Sequence, residues 1–269
     1  MTNLPPLDFG GHTDKGRVRR SNEDSIGIDP TLRLVVLADG MGGYNAGEVA
    51  SAIAVKTVRD SLKNTLPLLP PGSVDKATGL SKASGLLRQA IVSANDRILE
   101  LSTSKPQYRG MGTTVVAAVF HIDRVSIAHV GDSRAYRLRN HRLEQLTVDH
   151  SLNQELLCQG ELSAEEVKNL GQRHVVTRAL GVDHRIDVDV MEDIVKPEDV
   201  FLFCSDGLYE MISIDEMTEV LTGCAPAWDS AAKNLVAAAN AQGGKDNISV
   251  VVTRPITDML YQAGQHHGS

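Results

Sequence analysis

Cysteine is scarce in this chain and occurs only at Cys158, Cys204 and Cys224. These residues are far apart and form no Cys-x-x-Cys pair, so the sequence supplies neither a disulfide framework nor the paired thiols of a structural zinc site. Such sparse cysteine use is typical of a reducing compartment, and we expect the protein to be cytoplasmic.

Long apolar runs are also missing. The longest spans residues 115–120, far below the roughly 18 residues that a membrane-spanning helix needs. Residues 1–7 carry two prolines and no apolar core, which excludes a signal peptide as their interpretation. The sequence therefore predicts no membrane association.

The chain has a deficit of positive charge. It contains 27 Lys and Arg against 34 Asp and Glu, a net charge of −7. This balance argues against a nucleic-acid-binding surface. It leaves phosphorylated substrates open, because bound divalent cations can reverse the local sign of charge. With 269 residues, 42% of them apolar, the chain can bury a sizeable core.

The most informative stretch that is present covers residues 34–43. Five consecutive apolar residues predict a strand buried on both faces, and Asp39 follows where that strand ends. Gly40, Gly42 and Gly43 then allow a sharp turn that brings the backbone close to whatever the carboxylate holds. A single Asp-Gly pair would be an ordinary turn.

An acid at the tip of an apolar strand recurs three more times. Asp206 and Asp132 each follow such a segment, and Asp246 lies just before another. Four carboxylates at strand ends would repel each other unless cations hold them together. Oxygen ligands without His or Cys favour Mg²⁺ or Mn²⁺ over Zn²⁺.

Two such ions, about 3.5–4 Å apart, can lower the pKa of a water and orient it for in-line attack on phosphorus. Asp39 is our candidate for the carboxylate that bridges them. The charged segment 16–24 has two interpretations. It is either a solvated loop or a loop that places an arginine fork and two acids, Glu23 and Asp24, beside Asp39.

Apolar periodicity predicts strands that come in adjacent pairs, with paired helices between them. The more polar segment 149–171 is predicted to form two short helices around Gly160, the second capped by Ser163. The pattern favours an α+β domain with largely antiparallel sheets over a doubly wound parallel sheet. The predicted strands are 7–13, 25–29, 32–38, 112–121, 124–130, 133–139, 143–146, 186–191, 199–204 and 248–253, and the predicted helices are 47–62, 81–102, 215–221 and 228–240.

Several other phosphoryl-transfer chemistries fail on the sequence. A cysteine phosphatase needs an arginine six residues after its cysteine, and no cysteine here has one. The calcineurin-like enzymes need Gly-Asp-x-x-Asp, but Ala135 stands where the second acid should be. A P-loop needs Ser or Thr after Gly-Lys, and here Asp246 follows. The aspartyl-phosphate enzymes need Asp-x-Asp-x-Thr or a close variant. Residues 187–191 match this motif only in part, and their alternation of Asp and Val is typical of an edge strand.

The motifs together resemble those of the metal-dependent protein phosphatases of type 2C, in the form of their bacterial single-domain members. Each motif alone is weak, but the set is highly specific, in the family's order, and extends from about residue 11 to residue 252. The motifs are Arg19-x-x-x-x-Asp24, Asp39-Gly40-Met41-Gly42-Gly43, Gly110-Met111-Gly112-Thr113-Thr114, Gly131-Asp132-Ser133-Arg134, Ser205-Asp206-Gly207-Leu208 and Gly244-Lys245-Asp246-Asn247.

The resemblance implies a four-layer α-β-β-α sandwich, in which two largely antiparallel sheets are flanked by helix pairs. It implies a catalytic domain at 7–254, with a flap at about 149–180 that influences substrate choice, and a C-terminal tail at 255–269. The implied activity is hydrolysis of phosphoserine and phosphothreonine in proteins by direct attack of a hydroxide that bridges two Mn²⁺ or Mg²⁺ ions. The implied partners are phosphorylated proteins, including a bacterial Ser/Thr kinase that the enzyme opposes, and we expect a monomer.

The resemblance also implies the metal ligands. Asp39 would bridge the two ions, the carbonyl of Gly40 would bind one of them, and Asp206 and Asp246 would bind the other. Asp132, together with Asp206, would hold a third and weaker ion.

Three further roles follow from the resemblance. Glu23 and Asp24 would act mostly through metal-bound waters. Arg19 would grip the substrate phosphate, a role that suits the guanidinium fork.

One departure from the family leaves the leaving-group acid open. Relatives carry a histidine just after the Asp-Gly pair or after the following glycines, and here those positions hold Met41 and Tyr44. A metal-bound water is our candidate, with Tyr44 as a weaker one. Two other functions stay open on the sequence: a catalytically silent phosphoprotein-binding module and a two-metal phosphodiesterase.

Overall fold

The structure is a computed structural model that describes residues 7–43, 46–70, 72–160, 166 and 175–255. In these ranges the strands are β1 (Leu7–Asp14), β2 (Asp24–Asp29), β3 (Leu34–Met41), β4 (Gly112–Thr113), β5 (Val115–Phe120), β6 (Arg124–Val130), β7 (Arg134–Arg139), β8 (Arg142–Gln145), β9 (Asp189–Ile194), β10 (Val200–Cys204) and β11 (Ile248–Pro255). The helices are α1 (Ala46–Thr65), α2 (Lys82–Ser104), α3 (Leu152–Gln159), α4 (Asp206–Tyr209), α5 (Ile214–Cys224) and α6 (Trp228–Ala241).

The strands form two antiparallel sheets. One has the order β1-β11-β10-β7-β8, and the other has the order β2-β3-β5-β6-β9, with β4 paired to β3. Helices α1 and α2 pack on the second sheet, while α5 and α6 cover the first. The predicted four-layer α-β-β-α sandwich is confirmed.

The continuous apolar run of β3 is explained by burial on both faces. Val35 and Leu37 point into the core between the two sheets. Leu34 and Val36 point the other way and pack under the helices. A strand with helices on one side and a sheet on the other has no solvent face, so polar alternation is absent.

Helix α2 begins at a capped end and buries a single apolar stripe. The hydroxyl of Ser81 accepts a hydrogen bond from the amide of Ser84, which satisfies one of the free amides of the first turn. Leu87, Ile91 and Ile98 are fully buried against the second sheet, as the spacing of apolar residues predicts.

Most element boundaries agree with the sequence predictions to within three residues. The strand predicted at 112–121 is divided at Thr114 into β4 and β5, and helix α4 was not predicted. The strand predicted at 186–191 is observed at Asp189–Ile194, because it pairs with β6 as the outermost strand of its sheet. The first helix predicted in 149–171 is α3, while the second helix and its Ser163 cap lie outside the described residues. None of the described helices has the length and apolarity needed to cross a membrane.

Candidate metal centre

The acids predicted to bind metal all lie at one end of the two sheets, and antiparallel pairing explains why. In the second sheet, Asp39 near the end of β3 faces Asp24 at the start of β2. In the first sheet, the end of β10 pairs with the start of β11. Asp206 lies two residues after the end of β10 and Asp246 lies two residues before the start of β11, so both acids come to the same edge.

A cavity of about 480 Å³ opens at this edge. Asp24 does not line it and is only 7% exposed, so it lies behind its partner Asp39 in the β-ladder. The other predicted site residues all line the cavity, namely Arg19, Glu23, Asp39, Gly40, Asp132, Asp206 and Asp246.

The clustered carboxyl groups raise one another's pKa. Burial raises the pKa of Asp39 well above its usual value, and the charges of Asp24 and Asp206 raise it further. Burial, followed by the charge of Asp132, raises the pKa of Asp206. The pKa of Asp24 is raised to about 6, again chiefly by burial. These groups therefore favour binding a proton or a cation over standing together as bare anions.

The residues fit divalent metal ions of the oxygen-preferring kind. Oδ1 of Asp206 is buried and has no hydrogen-bond partner among the described residues. A buried carboxylate oxygen without a donor is costly, and a cation would supply the missing partner. All the converging side-chain donors are carboxylate oxygens, which suits Mn²⁺ or Mg²⁺.

Arg19 forms an ion pair with one acid of this cluster. It is about half exposed, and its Nη2 donates to Oδ2 of Asp246 at 2.5 Å. That hydrogen bond, with the charges of Asp206 and Asp39, raises the pKa of Arg19. The guanidinium therefore stays charged at the mouth of the cavity and can exchange its carboxylate partner for a phosphate.

The turn after Asp39 leaves no room for a side chain at Gly40. A Cβ atom there would lie 2.1 Å from the carbonyl oxygen of Gly47 and 2.6 Å from that of Glu23. The start of α1 consequently packs directly on the end of β3. This close approach fixes the backbone that follows Asp39.

Sequence reasoning missed the side chains that hold the acids in place. The hydroxyl of Ser205 donates to Oδ2 of Asp24 at 2.8 Å and accepts from the amide of Ser249. The hydroxyl of Thr114 accepts a hydrogen bond from the amide of Asp39 at 3.1 Å. Both residues belong to motifs quoted above, but only their neighbours received roles there.

Asn247 anchors the loop that carries Arg19 and Glu23. Its Oδ1 accepts from the amide of Glu23 at 2.8 Å, and its Nδ2 donates to the carbonyls of Lys15 and Ser21 at 3.0 and 2.9 Å. In the sequence, the position of Asn247 directly after Asp246 was the signal from which this anchoring role could have been predicted. The structure supports the second interpretation of segment 16–24, a loop placed beside Asp39.

A buried ion pair supports the loop of Asp132. Arg134 donates to both carboxylate oxygens of Asp149, with Nε and Nη2 contacts of 2.9 and 2.6 Å. The same guanidinium lies 3.4 Å from the ring centre of Tyr209. The hydroxyl of Tyr209 in turn donates to the backbone carbonyl of Asp132.

His129, His150 and Asp189 form a second group whose ligand atoms lie within 4.8 Å of one another. Nδ1 of His150 accepts a hydrogen bond from the amide of Gly131, so neutral His150 carries its hydrogen on Nε2, which faces Asp189 at 3.3 Å. Burial lowers the pKa of His150 and favours this neutral form. Nε2 of His150 is therefore a hydrogen-bond donor to Asp189. These residues form a hydrogen-bonded pair, and a donor nitrogen makes them a poor cation site.

The described ends of the predicted flap are attached beside the cavity. Ser151 and Val176 form a β-bridge, and Val176 lines the cavity. Residues 161–165 and 167–174 of the flap lie outside the described residues, as does Tyr44.

Three comparisons bear on this site. The family model described as Protein phosphatase 2C matches residues 12–247. The chain is 41% identical over 249 residues to the serine/threonine phosphatase stp of Listeria monocytogenes, covering 91% of this chain and 95% of that protein. It is 35% identical to the serine/threonine protein phosphatase PstP of Mycobacterium tuberculosis, over 91% of this chain and 44% of that longer protein.

Solved structures resemble the whole described fold. The crystal structure of the Mycobacterium tuberculosis serine/threonine phosphatase PstP/Ppp matches with a TM-score of 0.81 and 34% identity, covering 93% of this chain and 99% of that chain. A structure of the catalytic domain of PstP in complex with 2 manganese ions matches with a TM-score of 0.78 and 33% identity, over 93% and 99% of the two chains.

Proposed function

Because the chain belongs to the protein phosphatase 2C family, we propose that the acids around Asp39 form its catalytic centre. The protein is a metal-dependent protein serine/threonine phosphatase that uses Mn²⁺ or Mg²⁺ and hydrolyses phosphoserine and phosphothreonine. One observation carries the assignment of the site. Asp39, Asp206 and Asp246 arrive from different segments at one cavity beside Arg19.

We assign the metal ligands as follows. Asp39 would bridge two ions, the Gly40 carbonyl would bind one of them, and Asp206 with Asp246 would bind the other. Asp132, with Asp206, would hold a third and weaker ion. The raised pKa values of Asp39 and Asp206 support this assignment, because positive charge relieves the same repulsion that raises them.

Glu23 and Asp24 would act mostly through metal-bound waters, Glu23 from the wall of the cavity and Asp24 from its buried position behind Asp39. Burial raises the pKa of Glu23, and Asp24 is held by the Ser205 hydroxyl. Asp24 lies opposite Asp39 in the β-ladder, and the backbone carbonyl of Glu23 accepts from the amide of Gly40, the residue after Asp39.

When bound, the two ions lower the pKa of a water and neutralise charge on the phosphoryl oxygens. Arg19 leaves Asp246 and binds the substrate phosphate with its fork of donors. The attacking water gives a proton to solvent water in the cavity and its oxygen bonds to phosphorus, while the bond from phosphorus to the Ser or Thr oxygen breaks and no covalent enzyme intermediate forms. Met41 has no proton to give, so the departing alkoxide takes its proton from water in the cavity.

We further propose that residues 7–254 are the catalytic domain, and that the protein acts as a monomer in the bacterial cytoplasm, where it opposes a Ser/Thr kinase. The three cysteines, all free, suit a reducing compartment. Among the described residues all the acids predicted as metal ligands line the cavity, which leaves the silent binding module without support.

The test is turnover of p-nitrophenyl phosphate and of a phosphothreonine peptide with added Mn²⁺. Wild-type protein should hydrolyse both, and Asp39→Asn and Asp206→Asn should lose activity without losing fold. The exposed-site variant Asp60→Asn is the matched control and should keep full activity. Activity that survives Asp39→Asn, or faster cleavage of bis(p-nitrophenyl) phosphate than of the peptide, would overturn the assignment.

A further inference from the structure

Arg33 is a buried cation at the opposite end of β3 from the metal centre. It immediately precedes β3, while Asp39 lies near the end of that strand, roughly 20 Å away at the usual rise of an extended chain. Arg33 is only 7% exposed. Nε and Nη1 are both buried and have no hydrogen-bond partner among the described residues.

Other well-buried arginines of the protein have carboxylate partners. Arg134 pairs with Asp149 and Arg139 pairs with Asp199, each at 2.6 Å. Those partners raise the pKa of both arginines. Burial lowers the pKa of Arg33 to about 10, and no acid offsets the effect. A buried charge without a partner is costly, which indicates a missing anion.

The Arg33 guanidinium borders a cavity of about 260 Å³. The cavity lies between the β2–β3 turn, the segment after α1, the start of α2 and the β5–β6 turn. Much of its wall is apolar, with contributions from Leu66, Leu69, Phe120 and Ala83. The size suits a small molecule that combines a charged group with a compact apolar body.

The nearby polar groups are already engaged with each other. Nε2 of His121 shares a hydrogen bond with the Ser126 hydroxyl at 2.6 Å, and burial lowers the pKa of His121, which keeps it neutral. Glu192 accepts from the Ser81 amide and the Ser84 hydroxyl. Arg33 is therefore the one uncompensated charge among the described residues that line this cavity.

A single buried positive charge is balanced by a single negative charge. A carboxylate meets this condition, whereas a phosphate dianion would leave one buried negative charge uncompensated. Carboxylate oxygens also accept charge-assisted hydrogen bonds from a guanidinium. The apolar wall would then cover the rest of the ligand.

We propose that this cavity, which we name the Arg33 pocket and define by Arg33, Leu66, Leu69, Ala83 and Phe120, binds a small monocarboxylate with a compact apolar body. The carboxylate lies against the Arg33 guanidinium, and the apolar body lies against the leucines and Phe120. The site is separate from the metal centre and does not depend on the function assigned to it.

The experiment titrates the full chain, loaded with Mn²⁺, with benzoate and with hexanoate. Isothermal titration and thermal unfolding should both detect binding, with a Kd of about 1 mM or tighter for the better acid. Arg33→Met should weaken that binding roughly tenfold or more. Arg142→Met, which removes an exposed arginine, should leave it unchanged. Both variants should keep p-nitrophenyl phosphate turnover, because neither residue lines the metal cavity.

A crystal of the wild-type protein soaked in benzoate gives a readout that does not depend on any variant folding. Benzoate density with its carboxylate on Arg33 supports the proposal, and hexanol, which lacks the charge, should bind more weakly. Absence of binding by both acids, equal binding by Arg33→Met, binding of inorganic phosphate in their place, or water alone beside Arg33 in the soaked crystal would each overturn it.

Discussion

Asp24 and Asp39 lie directly opposite each other, as a Cα pair in the β2–β3 ladder. Like charges at such positions destabilise a sheet. Burial raises the pKa of both groups, and the charge of Asp24 raises the pKa of Asp39 further. The Ser205 hydroxyl offsets part of the cost at Asp24. The rest of this cost remains in the metal-free protein. It follows from the proposed function, because the acids that repel each other without metal are the ones that would bind the cations.

Asp39→Asn should therefore separate stability from activity. We expect the metal-free variant to be more stable than the metal-free wild type, because it removes a carboxyl group whose pKa is raised by burial and by the charges of Asp24 and Asp206. Turnover with Mn²⁺ should fall roughly a thousandfold, the equivalent of several kcal/mol of charge stabilisation. Urea unfolding in chelator and phosphatase assays measure the two effects. A metal-free variant less stable than the wild type would contradict the repulsion.

The raised pKa values predict the direction of a pH effect. The folded pKa of Asp24, about 6, exceeds its unfolded value near 3.8, so the folded protein holds more protons between these values. Metal-free stability from this group is highest at low pH and falls as pH rises through about 6, with Asp39 and Asp206 acting in the same direction. Mn²⁺ competes with these protons, so its affinity should rise over the same range.

The measurement compares wild type with Asp39→Asn, both metal-free, from about pH 4 to about pH 7. Buried histidines titrate in both proteins, so their contribution cancels in the difference. The stability advantage of Asp39→Asn should grow as pH rises. An advantage that stays constant or shrinks would show that Asp39 is not the group being titrated.

Ser205→Ala should remove the donor that holds Asp24. The buried Oδ2 of Asp24 would lose its partner, at a cost of about 1–3 kcal/mol, and turnover should fall while the protein remains folded. Ser93→Ala is the matched control, because Ser93 is an exposed helical serine that bonds only to the Gln89 carbonyl. Equal effects of the two changes on the free energy of unfolding would contradict the prediction.

Substitution by alanine should be damaging at one glycine of this turn and tolerated at another. Gly40→Ala would place a methyl group 2.1 Å from the Gly47 carbonyl oxygen, whereas Gly43→Ala would meet nothing within 4 Å. We expect Gly40→Ala to displace α1 from β3, with a loss of several kcal/mol of stability and of activity. Gly43→Ala should stay close to wild type in both measurements. Comparable losses in the two variants would disprove the close packing.

Breaking the Arg134–Asp149 pair should affect more than stability. Arg134→Met removes the cationic partner of the buried Asp149 carboxylate, which keeps a hydrogen bond from Gln145, and the loss costs about 3–5 kcal/mol. Because Arg134 also packs on Tyr209, whose hydroxyl reaches the Asp132 carbonyl, we expect activity to need more Mn²⁺. Arg97→Met breaks an exposed pair with Glu100 and should change stability by less than about 1 kcal/mol. An unchanged Mn²⁺ requirement would show that the Arg134–Asp149 pair does not support Asp132 as a metal ligand.

Residues whose role depends on local pattern could be predicted from the sequence. Asp39 follows an apolar run with no polar alternation, and that run has no solvent face in the structure. The pairing of strands then brings distant acids together, because antiparallel neighbours place alternate chain ends at one edge. Residues such as Ser205 and Asn247 could not be assigned this way, since their partners are more than 180 residues distant in one case and more than 220 in the other.

Arg33 shows a different limit. An arginine beside a turn is ordinarily exposed, and nothing in the local sequence signals its burial. Its position follows from how α1, α2 and two turns close around the start of β3. The three-residue shift of the strand at Asp189–Ile194 has the same origin, because the register with β6 fixes it and the local pattern does not.

The most direct test of the metal centre is anomalous diffraction from crystals grown with Mn²⁺, for wild type and for Asp39→Asn. The account predicts two strong peaks on either side of the Asp39 carboxylate in the wild type, one of them also bound by Asp206 and Asp246. In Asp39→Asn at least one peak should be lost. Peaks away from Asp39, such as at His129 and His150, or a pair of peaks that persists unchanged in the variant, would contradict the account.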